Sequence, residues 1–149
     1  MTAAEFAVFR AETAREYAAQ KVEAGEYVPD GAAERALKDM DALLPDGVDT
    51  QGMFFLVAEA GGDVVGRVWV TLQHPSSPPD TAWIYAIDVL PEHRGKGYSR
   101  ALLTAAEQET ARCGVPFLGL NVFGANETAR RLYESAGYEI KSIQMRKEL

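Results

Sequence analysis

One stretch constrains the fold more than any other, because it contains a strand, a glycine-rich basic loop and a helix in immediate succession. The β-prone run WIYAIDV ends before Pro91, the loop HRGKGYSR occupies residues 93–100, and a helical pattern follows in ALLTAAEQET. Gly95 and Gly97 allow a backbone to approach a ligand closely, and the loop's cationic side chains can pair with an anion. A helix start also favours anions. The stretch therefore predicts a phosphate-binding loop in an α/β domain.

The flanking patterns predict further elements around this loop. Helical spacing and period-two alternation give the order helix, helix, strand, strand, strand, helix, strand, helix, strand. The predicted elements are residues 5–27, 32–44, 53–60, 64–72, 83–89, 101–113, 117–123, 126–137 and 138–149. We find no linker or repeat, and we expect one domain over residues 1–149 with a mixed central β-sheet flanked by helices.

Composition and charge exclude several classes of protein. Hydrophobic content is 47% and charged content 25%, as in soluble globular domains, and a formal net charge of -7 argues against broad nucleic-acid binding. The single cysteine, Cys113, excludes an internal disulfide, and we expect it in the core; with only two histidines there is no recognisable zinc site. No apolar run or signal pattern predicts a membrane segment or export. We expect a cytoplasmic protein without metal, membrane or nucleic-acid partners, and the sequence leaves a homodimer open.

Three phosphate-binding patterns compete for the loop. The nucleoside-triphosphate pattern G-x-x-x-x-G-K-[ST] is excluded because Lys96 precedes Gly97. The dinucleotide pattern G-x-G-x-x-G is excluded because Arg100 stands at its third glycine, and the next predicted strand ends in NVF without a ribose-binding acid. The pattern [RQ]-x-x-G-x-[GA] matches residues 94–99 except at the last position.

On these residues the chain resembles the GNAT superfamily of acyl-CoA-dependent N-acyltransferases. IYAIDVLPEHRGKGYSRALL is similar to the family's central strand, pyrophosphate-binding loop and helix. LNVFGANETARRLYESAGYE is similar to its second signature, in which an asparagine opens a helix and a Leu-Tyr pair follows. The strong likeness covers residues 84–149. It implies an α/β (α+β) GNAT-like fold with a bulged central strand.

The resemblance implies acetyl-CoA as co-substrate and assigns its contacts. The pyrophosphate would lie against Arg94, Gly95, Lys96, Gly97, Tyr98 and Ser99. Ser99 departs from the family's Gly or Ala, but a small hydroxyl side chain still permits close approach. Free backbone groups near Ile87, Asp88 and Val89 would pair with the pantetheine arm, and the Val89 N–H would polarise the thioester carbonyl. Asn126 would contact the same arm, although asparagine is also a favoured helix N-cap.

The resemblance also implies roles in the chemistry. Tyr133 matches the family tyrosine that protonates the leaving thiolate, while helical periodicity alone favours a core aromatic there. Asp88 is the candidate general base, and the alternative for it is a solvent-side or backbone-paired residue in the bulge. Many relatives use a water relay in place of a single base. Some relatives carry a glutamate at the position of Asn121, and an amide closes that route. Aromatic residues that could line an amine pocket are His74, Trp69, Trp83 and Tyr85.

These features together predict an N-acetyltransferase that transfers an acetyl group from acetyl-CoA to a primary amine by direct attack in a ternary complex. The acceptor, a small molecule or a protein amino group, is not specified by the sequence. The alternative is a GNAT-like domain that binds acyl-CoA without turnover, as a sensor or interaction module.

Overall fold

A four-stranded mixed sheet organises the chain, which a computed structural model describes over all residues, 1–149. The helices are α1 (Ala3–Glu23), α2 (Ala32–Leu43), α3 (Tyr98–Arg112) and α4 (Glu127–Ser135). The strands are β1 (Met53–Ala60), β2 (Asp63–Thr71), β3 (Thr81–Val89) and β4 (Phe117–Leu120). Short 3-10 turns cover Gly47–Asp49 and Pro91–His93. The predicted order of elements is confirmed up to α4.

The sheet joins an antiparallel meander to one parallel strand. Its strand order is β1-β2-β3-β4. Strand β2 is antiparallel to both β1 and β3, and β4 is parallel to β3. The parallel pairing follows from the crossover through α3, since parallel strands need such a connection. This arrangement confirms the α/β fold with a mixed sheet flanked by helices.

Helices cover both faces of the sheet, so each face has its own hydrophobic cluster. On one face Leu102 and Leu103 of α3 pack with Val68 and Val70 of β2. On the other face Phe9, Met40 and Trp69 bring together α1, α2 and β2. None of the helices combines the length and apolar character that a membrane span requires.

The central strand β3 carries a bulge, as predicted. Trp69 of β2 pairs with Ala86, but the next β2 residue, Val70, pairs with Ile84. Tyr85 is therefore the extra residue, and a bulge of this kind bends a strand and re-aims its side chains.

Three predictions from the sequence are wrong in the structure. The strand predicted over residues 117–123 ends at Leu120, and residues 138–149 form no strand. In the latter segment Ile140, Ile143 and Met145 are exposed, because a β-prone pattern forms a strand only where a partner edge is hydrogen-bonded to it. Cys113 is exposed, since it lies past the last turn of α3 and not on its buried face.

Candidate active site

The candidate site begins where β3 and β4 separate. The two strands pair only as far as Ile84 and Leu120, after which the chain leaves the sheet at Asn121 while β3 continues to Val89. The second half of β3 thus has β2 on one side and no strand on the other. This opening exposes one row of backbone groups.

The alternation of hydrogen bonds between β2 and β3 identifies those backbone groups. The Leu90 N–H donates to the Val65 carbonyl at 3.0 Å, and hydrogen-bonded pairs alternate along an antiparallel ladder. The backbone of Asp88 is therefore directed towards β2, whereas the N–H and C=O groups of Ile87 and Val89 point to the open side. The Val89 carbonyl already accepts a 2.9 Å hydrogen bond from Arg94 Nε. An extended ligand can pair with the remaining groups as an added strand does.

A cleft of about 390 Å³ lies beside this opening, between the sheet, α1, α2 and α4. An aromatic series forms its floor: Trp69 stacks on Tyr85 at 4.5 Å between ring centroids, and His74 stacks on Trp83 at 4.9 Å. All four rings line the cleft, as the sequence suggested. Burial lowers the pKa of His74, and its Nδ1 accepts from the Ser76 N–H at 3.2 Å. The neutral ring then carries its proton on Nε2 and is unsuited to accept another.

Tyr133 belongs to both the core and the cleft. Its side chain is only 8% exposed and packs with the α3 cluster, yet it lines the cleft opposite β3. Burial raises the pKa of its hydroxyl, and no protein group forms a hydrogen bond with that hydroxyl. Tyr133 therefore keeps its proton near neutral pH and lines the cleft, so its burial in the core does not exclude the predicted role of proton donor.

Asp88 lies among charged groups on the α1 face of the sheet. Its carboxylate is 3.8 Å from Arg94 Nη2, and Arg67 is its cross-strand neighbour. Arg67 is buried, pairs with Glu12 at 2.9 Å, and leaves its Nε without a partner. Burial raises the pKa of Asp88, although Arg94 and Arg67 act to lower it. A carboxyl with a raised pKa is a stronger base than an exposed one, as proton abstraction requires.

The basic loop leads directly into α3. Gly95 and Gly97 adopt φ values of +74° and +86°, which favour glycine, and a Cβ added to either would meet no atom within 4 Å. Gly97 is the N-cap of α3 and supplies no side-chain hydrogen bond, so the first backbone N–H groups of the helix are free of a cap. Lys96 Nζ donates to the Glu92 carbonyl at 3.1 Å. The loop is suited to a polyanion because it is basic, lies at the start of a helix and has open space beside its glycines.

Two asparagines lie at the α4 end of the cleft. Asn126 is the N-cap of α4, and its Oδ1 accepts from the Ala129 N–H at 3.1 Å. Its amide NH₂ remains available, and Asn126 lines the cleft together with Asn121. Capping and ligand contact are therefore compatible for Asn126.

The structure brings some of the predicted site residues together and separates others. Asp88, Ile87, Asn126 and Tyr133 line the cleft, whereas Val89 is buried at its border and residues 94–99 lie beyond it at the start of α3. Sequence reasoning missed the contributions of α1 and α2. Glu16, Tyr17, Gln20 and Asp39 also line the cleft. Their polar spacing is that of an ordinary solvent-facing helix surface, so no signal in the sequence distinguished them.

Comparison with known proteins places this geometry in a family. A model of the acetyltransferase (GNAT) family matches residues 12–138. The uncharacterized N-acetyltransferase YycN of Bacillus subtilis is 33% identical over 150 residues, covering 100% of this chain and 96% of its own. The crystal structure of YycN superposes with a TM-score of 0.91 at 33% identity and covers 95% of that chain.

Two more distant relatives show how far the likeness extends. A mycothiol acetyltransferase of Propionibacterium freudenreichii is 32% identical over 117 residues, which are 78% of this chain and 37% of that protein. A Bacillus anthracis structure that contains acetyl coenzyme A has a TM-score of 0.55 at 20% identity, over 60% of this chain and 49% of that one, and shows the fold alone. With the family model and YycN, these findings establish that the chain is an acyltransferase of the GNAT family.

Proposed function

We propose that the protein transfers an acetyl group from acetyl-CoA to a primary amine by direct attack within a ternary complex. The observation that carries the proposal is the open edge of β3, which lies between the uncapped start of α3 and a cleft lined by Tyr133. A single ligand with a phosphate group at one end and a thioester at the other fits the start of α3 and the open edge of β3. The cleft then supplies space for the amine.

The donor is proposed to lie along β3. Its pyrophosphate would rest on the loop of residues 94–99 and on the free N–H groups of α3, and its pantetheine arm would pair with Ile87 and Val89. The Asn126 amide would hold the same arm from α4. These contacts would place the thioester at the mouth of the cleft. There the Val89 N–H, which also interacts with the Asp88 carboxylate, would turn to the developing oxyanion.

Two side chains would move the protons. An ammonium ion must lose a proton before it can attack, and the Asp88 carboxylate, directly or through a water, is the proposed acceptor. Attack forms the C–N bond, collapse of the oxyanion breaks the C–S bond, and Tyr133 would protonate the departing thiolate. The proton that the attacking nitrogen still has to lose would return to the Tyr133 phenolate, directly or through a water. A phenol with a raised pKa remains protonated throughout the neutral pH range, as this role requires.

The test is an assay of thiol release from acetyl-CoA with a panel of amines, each measured against a control without amine. Tyr138 provides a matched control for Tyr133, because its ring lies 5.9 Å away and it is outside the cleft lining. We expect amine-dependent release by the wild type and by Tyr138→Phe, and a large loss with Tyr133→Phe. Stabilisation by CoA without release from any amine would instead indicate a binding module.

A further inference from the structure

The cleft has a one-sided distribution of charge. Its lining includes three carboxylates, Glu16, Asp39 and Asp88, and no lysine or arginine. The lowered pKa of His74 keeps that side chain neutral near pH 7. Lys21 lies over the rings of Tyr17 and Phe123, which line the cleft, but it is itself paired with Glu26. A ligand that enters the cleft therefore encounters carboxylates and aromatic faces, and both favour a cation.

Glu16 is the carboxylate that the protein leaves unpaired. Asp39 accepts a hydrogen bond from Tyr27 at 3.0 Å, and Asp88 has Arg94 at 3.8 Å. Glu12, one turn before Glu16 on α1, takes Arg67 at 2.9 Å. Glu16 has neither a hydrogen bond nor an ion pair, and it stays accessible from the cleft. Partial burial and the nearby Asp88 raise its pKa, although Arg94 and Arg15 act to lower it, so an added cation would relieve a remaining cost.

The reacting amine is a poor partner for this unpaired charge. It must become neutral before it attacks, and it would then lose most of its attraction to a carboxylate. A second ammonium group on the same molecule keeps its charge throughout the reaction. The aromatic floor can pack against the methylene groups between the two nitrogens, and a cleft of about 390 Å³ has space for both.

We propose that the acceptor is a diamine or polyamine, and that Glu16 binds the ammonium group that is not acetylated. This inference rests on the proposed function, since it names the class of amine that the same cleft accepts. Glu16 acts as a specificity-determining residue on α1, opposite the edge of β3 at which the acetyl group is transferred.

The test compares diaminobutane, diaminopentane and diaminohexane with the n-alkylamine of the same length. Each pair offers the same attacking amine with or without the second cation. Wild type, Glu16→Gln and Glu59→Gln are assayed, the last being an exposed carboxylate of β1 outside the cleft. In the wild type and in Glu59→Gln, kcat/KM for the best diamine should exceed that of its monoamine by about tenfold or more. In Glu16→Gln the diamine should lose about that factor through KM, with the monoamine unchanged.

Equal kcat/KM for diamines and monoamines in the wild type would overturn the proposal, as would an equal loss for both in Glu16→Gln. Calorimetric titration of the CoA-saturated proteins with the same diamines adds a measurement that needs no turnover. Binding by the wild type that weakens about tenfold in Glu16→Gln supports the cation site at Glu16 even if no thiol is released; in that case the proposed function and the acceptor role of the diamine fail, and the cation site stands. Absence of diamine binding by the wild type overturns the proposal.

Discussion

Tyr133 combines a place in the core with the proposed role of proton donor. Its ring fills part of the α3 cluster, while its hydroxyl, without a protein partner, faces the cleft. Replacement by phenylalanine keeps the buried ring and removes only the proton donor. We expect kcat for Tyr133→Phe to fall by about 100-fold, the usual scale of general acid catalysis, with little change in Tm. Steady-state kinetics and thermal denaturation check both parts; a mutant with wild-type kcat would remove Tyr133 from this role.

Asp88 allows a prediction about pH, because burial raises its pKa in the folded state. The folded protein then binds this proton more tightly than the unfolded chain, so ionised Asp88 costs stability above the raised pKa. Below the ordinary carboxyl pKa of about 3.9 the cost is absent. Asp88→Asn should therefore raise Tm near pH 7, and the gain should disappear as pH falls towards 4. Thermal melts across this range test the sign; a Tm lowered at pH 7 contradicts it.

Ionisation of Asp88 lowers stability, but the proposed reaction requires the ionised form. If Asp88 accepts the amine proton, the acid limb of kcat/KM should lie above the ordinary carboxyl range, since the base is lost as pH falls through the raised pKa. Asp88→Asn should abolish this limb and leave a lower, flatter profile. Measurement of kcat/KM from acid to neutral pH decides the point, and an unchanged limb in the mutant would favour a water relay without Asp88.

At the residue level, the sequence could indicate cleft residues that have a local signature and could not indicate the others. Asn126 caps the start of α4 and Tyr133 lies near its end, within one recognisable run of sequence, and the structure places both at the cleft. Glu16 stands 72 positions before Asp88 (88 − 16). Only the packing of α1 on the sheet brings the two together, and such long-range packing leaves no pattern in the α1 sequence.

At the scale of elements, the start of α3 depends on two left-handed glycines. An alanine at Gly97, where φ is +86°, meets no steric contact but adopts a conformation that costs about 1–2 kcal/mol. Gly61, in the turn between β1 and β2, has φ +64° and similarly open surroundings, so it is a matched control. Both substitutions should lower Tm by a few degrees, whereas only Gly97→Ala should reduce the further rise in Tm on addition of CoA.

Thermal shift measurements with and without CoA separate the two effects. If Gly61→Ala reduced the CoA-dependent rise in Tm as much as Gly97→Ala, a general loss of stability would explain both results. The proposed role of the loop in CoA binding would then be refuted. If neither substitution reduced it, the start of α3 would not be the anion site.

The elements that the sequence predicted well are those stabilised by local contacts. Helix α1 begins with a capping box between Thr2 and Glu5, and the β1–β2 hairpin closes through adjacent strands. The segment after α4 has a comparable β-like alternation, but its side chains are exposed and it has no strand partner. Strand formation requires an available edge, which the pattern of one segment does not encode.

At the scale of the whole molecule, the charge of the protein and the charge of the cleft have the same sign. The protein has a net charge of -7, and its cleft is lined by three carboxylates and by no lysine or arginine, while the basic loop lies at the start of α3. An acidic surface attracts a cationic acceptor over long range, and salt screens that attraction because the Debye length is about 10 Å at 0.1 M ionic strength. The acceptor's encounter rate should then depend on ionic strength more than the chemical step does.

We therefore expect kcat/KM for a cationic acceptor to fall severalfold between about 0.05 M and about 0.5 M NaCl, with kcat at saturating amine nearly constant. The KM for acetyl-CoA serves as an internal control. Salt weakens the attraction of its phosphates to the basic loop, but it also weakens their repulsion by the negatively charged protein. The two effects should partly cancel, so this KM should change less. A kcat/KM for the amine that stays constant over this range would show that short-range contacts at Glu16 and the aromatic floor act without long-range attraction.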